Sequence, residues 1–210
     1  AMSCFYLGEH FDIHGGGRDL VFPHHENEIA QTESLTGKTF ANYWVHCGLV
    51  KVNGQKMSKS LNNGILLQDV LAKYDADVIR FALLNNMYSN DIDITDNFFA
   101  NAMRHVYKMY SVMDAAGARE YPDANADQTA TMVQTITDEF RSAMDDNFNT
   151  YGVIVNAFKW FDFISAQLAK KHTEYDLGVI VAKIRELFGV LNILQSNPAQ
   201  YLETLRTQIL

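Results

Sequence analysis

The 210-residue sequence is poor in cysteine, and it has no long apolar run. Its two cysteines, Cys4 and Cys47, cannot build a disulfide framework, so a reducing cytoplasm suits the chain better than secretion. No apolar stretch approaches the roughly 18 residues that a membrane span needs, and nothing near the start reads as a signal peptide. With 48% hydrophobic and 20% charged residues, the composition predicts a folded, cytoplasmic protein rather than a disordered or membrane protein.

Acidic side chains are missing from one window of a chain that is otherwise acidic. The formal net charge is -8, which argues against a general affinity for nucleic acid. Between Glu33 and Asp69, however, no Asp or Glu occurs. Four lysines fall in the same window: Lys38, Lys51, Lys56 and Lys59. This locally basic window predicts an anionic ligand.

The first third of the chain has the pattern of a strand, a helix and a second strand. Residues 10–22 read as a strand that enters a glycine-rich turn. Pro23 is expected to open a helix that ends near Gly37. Residues 43–52 are aromatic and β-branched, which predicts a strand ending at an Asn53-Gly54 turn. This order and spacing predict a βαβ unit with a parallel sheet.

From Leu66 onward the apolar residues recur at helical spacing. A long amphipathic helix is expected to follow Thr95 or Asp96 as its N-cap, and residues 117–128 read as a linker. The other helices are predicted at about 67–73, 75–85, 129–145, 150–171 and 177–195. Their apolar stripes are typical of the core of a helical bundle.

Two short patterns in the first part carry candidate chemistry. Gly15, Gly16 and Gly17 follow a predicted strand, and their lack of Cβ atoms lets a ligand approach the backbone closely. Asp19, just beyond, can accept hydrogen bonds from ribose hydroxyls. Taken alone, such a run is more often simply a turn.

His24 and Glu28 lie four residues apart on the predicted helix, so they share one face and can bind one metal ion. His25 and Glu26 are expected to point elsewhere. A lone pair of this kind is usually structural or solvated, because zinc takes four ligands. Cys4 and Cys47 are available by composition, but no spacing ties them to this pair.

The basic window contains the string KMSKS, from Lys56 through Met57, Ser58 and Lys59 to Ser60. A loop of lysine, serine and asparagine is often merely solvated. Two mobile ammonium groups over a polyphosphate would instead neutralise the charge that builds up on a leaving pyrophosphate. Lysine suits this better than arginine, because it is a compact charge on a flexible stem.

KMSKS is the signature loop of class I aminoacyl-tRNA synthetases, and longer stretches resemble cysteinyl-tRNA synthetases in particular. Those stretches are GEHFDIHGGGRDLVFPHHENEIAQ, YWVHCGLVKVNGQKMSKS, DADVIRFALL and MDDNFNT. The resemblance implies an α/β plus all-α fold: the second half of a Rossmann-type nucleotide-binding domain, a KMSKS connector and an antiparallel helical bundle. The expected domains are 1–65 for the partial Rossmann domain, 66–94 for a stem-contact-like connector and 95–210 for a DALR-like, tRNA-binding bundle.

The same resemblance implies a function. The family activates cysteine with ATP and Mg²⁺ to cysteinyl-adenylate and transfers the cysteine to tRNA(Cys). By residue-to-residue matching, Gly15 to Gly17 and Asp19 lie at the adenosine. Lys59, assisted by Lys56, acts catalytically on ATP, and Met57, Ser58 and Ser60 complete the ATP-binding loop. A zinc ion that binds the substrate thiolate would be held by His24 and Glu28.

The departures from the family are equally specific. No His-x-Gly-His signature occurs in the sequence, and the family's other two zinc ligands are cysteines that match no residue of this chain. We therefore expect a fragment that is inactive alone, that binds zinc weakly and that can self-associate through an exposed remnant of its sheet. Two alternatives stay open: a paralogous ligase that passes cysteine to a small-molecule amine, and a free-standing, non-enzymatic helical module that binds tRNA or protein.

Overall fold

The computed structural model describes residues 2–58 and 60–209, which divide into two units. The first, here called the sheet unit, comprises residues 1–64 and 88–95. The second, the helical unit, comprises residues 65–87 and 96–210. The finer division into three domains stays a prediction.

Short strands and longer helices build the two units. The strands are β1 (Phe11–Gly17), β2 (Ala41–Cys47), β3 (Val50–Val52), β4 (Gln55–Lys56) and β5 (Ile92–Ile94). The helices are α1 (Met2–Leu7), α2 (Glu26–Thr36), α3 (Leu67–Leu71), α4 (Ala76–Leu84), α5 (Phe98–Gly117), α6 (Ala126–Asp145), α7 (Thr150–Leu168), α8 (Leu177–Phe188) and α9 (Pro198–Ile209). No helix among the described residues is both long and apolar enough to cross a membrane.

The predicted strand–helix–strand unit is confirmed. β1 and β2 are parallel neighbours, paired from Phe11 opposite Ala41 to Gly17 opposite Cys47, with α2 between them in the chain. Gly37 ends α2 in the left-handed conformation, with φ 67°, and its N–H donates to the Glu33 carbonyl at 2.9 Å. Glycine adopts this conformation without the steric penalty of a Cβ atom, which explains the sharp end of the helix.

The expectation that Pro23 opens this helix is wrong, since α2 begins only at Glu26. The Phe22–Pro23 peptide bond is cis, and Phe22 is extended, with φ −134° and ψ 133°. A residue before proline is pushed away from the helical conformation by the proline ring. The turn Val21–His25 therefore places His25 ahead of the regular helix.

The second predicted strand is in fact two strands in two sheets. β2 ends at Cys47, and β3 belongs to a separate sheet of order β4-β3-β5, in which β5 is parallel to β3. Asn53 and Gly54, with φ 48° and 80°, form the predicted two-residue turn between β3 and the antiparallel β4. The three-residue strand β5 was not predicted from the sequence.

Gly48 lies where the two strands separate. Its N–H donates to the Tyr88 carbonyl at 2.8 Å, and a Cβ atom at this position would overlap the Asn90 carbonyl. The close approach of the 88–90 backbone therefore requires glycine at position 48. At this residue the chain leaves the β1–β2 sheet and enters the β4-β3-β5 sheet.

The helical unit has a continuous apolar core contributed mainly by α4 to α9, including Val106, Ile136, Ile154, Ile164, Ile180 and Leu205. Helix α5 begins at Phe98 with Asn97 as its N-cap, one or two residues later than predicted, and Asn97 makes no side-chain cap. The last helix, α9, was missed in the sequence. Asn125, Asn149 and Asp176 each accept a backbone N–H at the starts of α6, α7 and α8.

A buried carboxylate connects α4, α5 and the segment before α9. Asp77 is 8% exposed, and its Oδ2 accepts the Tyr110 hydroxyl at 2.7 Å and the Leu194 N–H at 2.9 Å. The Tyr110 ring stacks on Tyr201, with centroids 4.1 Å apart, and the Tyr201 hydroxyl donates to Asp75. Burial raises the pKa of Asp77 above its ordinary value, even though both hydrogen bonds lower it.

Gly48→Ala should destabilise the sheet unit, because the added methyl group displaces the Asn90 backbone. Overpacking of this kind costs about 1–3 kcal/mol. Gly64→Ala is the matched control in the same unit, since nothing lies within 4 Å of a Cβ atom there. Urea unfolding followed by Trp44 fluorescence in a Trp160→Phe background measures both variants, and equal midpoints would contradict the expectation.

The buried Asp77 predicts a specific dependence of stability on pH. Because its pKa is raised in the folded protein, its stabilising contribution is full below about pH 4, the ordinary value, and is lost as the pH rises through the folded-state pKa. Asp77→Asn cannot ionise, so it should gain stability relative to wild type between about pH 4 and 7.

Urea unfolding followed by far-UV circular dichroism measures this trend. Asp162→Asn, which removes an exposed carboxylate paired with Lys108 at 2.7 Å, is the control. If the free energies of unfolding of Asp77→Asn and wild type changed with pH in parallel, the raised pKa of Asp77 would be contradicted.

Candidate active site

The pairing of β1 with β2 positions the glycine run. Gly15, Gly16 and Gly17 lie opposite Val45, His46 and Cys47. A Cβ atom on Gly16 would lie 2.8 Å from the His25 imidazole, and one on Gly17 would lie 2.6 Å from the Asp19 carboxylate. Glycine is therefore required at Gly16 by the buried His25 ring, a reason independent of any ligand, whereas the exposed Asp19 side chain could move away from a Cβ atom on Gly17.

Four histidines and Glu28 surround this strand end. Glu28 joins two of them: its Oε2 lies 2.8 Å from His14 Nε2, and its Oε1 lies 4.0 Å from His24 Nε2. His25 is 3% exposed, and its Nδ1 lies 2.8 Å from His46 Nε2. The expectation that His25 points elsewhere is wrong, because His25 precedes the regular helix and helical spacing does not apply to it.

Trp44 packs against the imidazoles. Its ring centroid lies 4.7 Å from that of His14 and 5.0 Å from that of His25. Burial, followed by the neighbouring His14 and His46, lowers the pKa of His25 below its ordinary value. A neutral imidazole has a free lone pair, which is the form that binds metal ions.

The described residues contain one cluster able to hold a metal ion. His14, His25 and Glu28 each offer a ligand atom, and these atoms lie within 4.8 Å of one another. Two nitrogens and one oxygen are donors that zinc accepts, so the residues fit the ion that the sequence predicts. Of the predicted ligands, Glu28 lies inside this cluster, and exposed His24 lies beside it; the cysteines lie outside it.

The sequence reasoning did not identify His14 as a metal-ligand candidate. His14 follows Ile13 in β1, and it meets Glu28 only because the strand and α2 pack together. Its position before a glycine run was visible in the sequence, but its spacing from Glu28 carried no signal.

The KMSKS segment begins in the short strand β4. The Lys56 ammonium lies 3.1 Å from Asp19 Oδ2, and this hydrogen bond lowers the pKa of the Asp19 carboxyl below its ordinary value. Lys56 and Asp19, assigned to one ligand from the sequence, are therefore neighbours. Met57 and Ser58 follow Lys56 directly, and the predicted Lys59 lies outside the described residues.

Asn63 closes the loop that follows β4. Its Oδ1 accepts the Ser58 N–H at 2.8 Å, and its Nδ2 donates to the Lys56 carbonyl at 3.2 Å. The Ser58 and Ser60 hydroxyls lie 3.1 Å apart, and Asn62 is left-handed, with φ 49°. Asparagine tolerates this conformation, so two neighbouring asparagines shape the loop.

Comparison with known proteins identifies the class of enzyme to which the chain is related. Residues 1–104 match the family of tRNA synthetases class I (C) catalytic domain. The chain belongs to the class I tRNA synthetases.

Within that class, the chain belongs with the cysteine–tRNA ligases. The cysteine–tRNA ligase of Syntrophotalea carbinolica is 42% identical over 217 residues, covering 100% of this chain and 45% of the relative. That of Geobacter sp. (strain M21) is 41% identical, covering 98% of this chain and 44% of the relative. The chain thus spans less than half the length of these relatives.

Solved structures share the fold at low sequence identity. The LeuRS–tRNA–LeuAMS ternary complex of Agrobacterium radiobacter K84 matches with a TM-score of 0.64 at 18% identity, covering 92% of this chain and 26% of the other. Mycobacterium tuberculosis methionyl-tRNA synthetase, solved with methionyl-adenylate, matches with a TM-score of 0.53 at 16% identity, covering 89% and 40%. At these identities the likeness establishes the class I synthetase fold alone.

Glu28→Gln should weaken zinc binding by the chain about tenfold or more, because the amide loses the charge that faces His14 and His24. Glu26→Gln is the matched control: Glu26 is an exposed acid two residues away, outside the metal-binding cluster. Competition with a fluorescent zinc chelator measures both affinities. Equal affinities for Glu28→Gln and Glu26→Gln would exclude Glu28 as a ligand.

Proposed function

We propose that this chain forms part of the catalytic and tRNA-binding body of a cysteine–tRNA ligase. In the proposed reaction the cysteine carboxylate attacks the α-phosphorus of ATP, which releases pyrophosphate and forms cysteinyl-adenylate. A ribose hydroxyl at the tRNA end then attacks the cysteinyl carbonyl, which releases AMP. The observation that carries this proposal is the 3.1 Å approach of Lys56 to Asp19 at the glycine end of β1.

The chain's own residues have distinct roles in the proposed first step. Gly15 and the neighbouring glycines admit the nucleotide to the strand end, and Asp19 accepts hydrogen bonds from its ribose. Lys56 and Lys59 bind the phosphates of MgATP, with Met57, Ser58 and Ser60 completing the loop. The lysines stabilise the negative charge that develops on the leaving pyrophosphate.

The zinc-binding part of the proposal uses Glu28 together with His24, or with His14 and His25. Zinc bound there would supply a preference for a soft thiolate, which separates cysteine from serine where shape alone discriminates weakly. Trp44 and the buried His25 pack on one side of this region. The neutral state of His25 suits either metal binding or a hydrogen bond to His46.

The helical unit is assigned to tRNA binding. The cysteine–tRNA ligase relatives match this chain over its whole length, so the helices belong to the similarity as much as the sheet unit does. This supports tRNA(Cys) as the acceptor over a small-molecule amine. Self-association through the sheet is a further proposal, supported by Ile13 and Tyr43, which pair across β1 and β2 and are 60% and 68% exposed.

A chimeric enzyme tests the function directly. The matching stretch of the Syntrophotalea carbinolica cysteine–tRNA ligase is replaced by these 210 residues. We expect cysteine-dependent ATP–pyrophosphate exchange and attachment of cysteine to tRNA(Cys), whereas the 210-residue chain alone should show neither. Lys59→Ala should slow adenylate formation by about 10²–10³-fold, the usual cost of losing one such donor.

The control in the chimera is Lys38→Ala. Lys38 belongs to the same basic window but pairs with Glu9 at 2.6 Å, so its loss should leave exchange unchanged. A folded chimera whose exchange is indifferent to Lys59→Ala would refute the phosphate role. Exchange without transfer to tRNA would favour a ligase with another acceptor.

A further inference from the structure

Asp91 accepts three donors in the sheet unit. Its Oδ1 accepts Arg18 Nη2 at 2.6 Å and the Leu49 N–H at 2.9 Å, and its Oδ2 lies 2.9 Å from Lys51 Nζ. Both carboxylate oxygens are therefore engaged. The Leu49 N–H, followed by Lys51, lowers the pKa of Asp91 below its ordinary value, so the carboxylate stays charged at neutral pH.

The three donors come from two parts of the chain. Arg18 directly follows β1 and precedes Asp19, Leu49 lies between β2 and β3, and Lys51 is the central residue of β3. Asp91 itself directly precedes β5. One side chain thus connects the glycine end of β1 to the β3–β4 hairpin, which is defined here as residues 50–56.

The hairpin carries two neighbouring lysines, and each of them pairs with a carboxylate. Lys51 and Lys56 are Cα partners across β3 and β4, so their side chains leave the same face, and like charges in this position repel. Asp91 pairs with Lys51 and Asp19 pairs with Lys56. Arg18 also pairs with Asp91, so two carboxylates together hold three cations.

We propose that Asp91 is a positioning residue, which fixes the β3–β4 hairpin against the glycine end of β1 by holding Arg18 and Lys51 together. With Lys51 held in this way, Lys56 can exchange Asp19 for the phosphates of a nucleotide while the hairpin keeps its position. The identity of that anion rests on the proposed function; the positioning of the hairpin does not.

Hydrogen exchange of the 210-residue chain without nucleotide tests the positioning. The Met57 N–H donates to the Val50 carbonyl at 3.0 Å and reports on the closed hairpin. Asp91→Asn should make its exchange about two- to tenfold faster, while the β1–β2 amides keep their wild-type rates. Asp91→Glu should restore most of the protection, because it retains the charge that both cations need.

Asp162→Asn is the matched control, since it removes a lysine-paired carboxylate from the helical unit. If Asp91→Asn unfolds the whole sheet unit, the proposal is tested instead with Lys51→Met and Arg18→Met. Each of these variants should make hydrogen exchange faster in the hairpin alone. Wild-type Met57 exchange in Asp91→Asn, or in both of these variants, would overturn the proposal.

Binding of inorganic tripolyphosphate distinguishes the positioning role of Asp91 from a purely electrostatic effect of its charge on anion binding. Removing a negative charge near lysines should by itself raise affinity for an anion, whereas loss of positioning should lower it, and Asp91→Glu should recover it. Lower affinity in Asp91→Asn, recovered in Asp91→Glu, supports the proposal, and higher affinity overturns it. If no variant binds tripolyphosphate but hairpin exchange responds as expected, the phosphate role fails and the positioning role stands.

Discussion

The parallel pairing of β1 with β2 is the constraint on which the candidate site depends. It places Gly16 opposite His46 and so leaves room for the His25 ring against a backbone that has no Cβ atom. The same pairing brings His14, on β1, to Glu28 on the helix that connects the two strands. A shift of one residue would send His14 to the other face of the sheet and separate it from Glu28.

Features that depend on a few consecutive residues could be predicted from the sequence. The Asn53-Gly54 turn and the Gly37 helix end were predicted correctly, because a positive φ favours asparagine or glycine locally. The start of α2 was misplaced, because Phe22 is extended and the turn Val21–His25 comes before the regular helix. The strand 43–52 was drawn too long, because the backbone that requires Gly48 lies about forty residues further along the chain.

In the candidate site, too, local motifs could be predicted from the sequence and contacts between distant residues could not. The glycine run, Asp19 and the KMSKS string were visible as short motifs, and the approach of Lys56 to Asp19 agrees with placing them at one ligand. His14 and Asp91 were missed, because each acquires its role from a partner distant in sequence: Glu28 for the first, Arg18 and Lys51 for the second. The spacing of residues in the sequence predicts contacts only within one helix or strand. These contacts join different elements, so spacing could not reveal them.

The charges of the basic window bear on the kind of anion that the proposed function places there. Each of its described lysines pairs with a carboxylate from outside the window: Lys38 with Glu9, Lys51 with Asp91, and Lys56 with Asp19. A singly charged ligand offers Lys56 no more than Asp19 already does, and it must also overcome the repulsion of that carboxylate. A polyphosphate carries several charges on closely spaced oxygens, so it can attract Lys56 away from Asp19 and gain further cations at the same time. For the proposed ATP site, the three described pairs therefore favour a ligand of high charge density over a singly charged one.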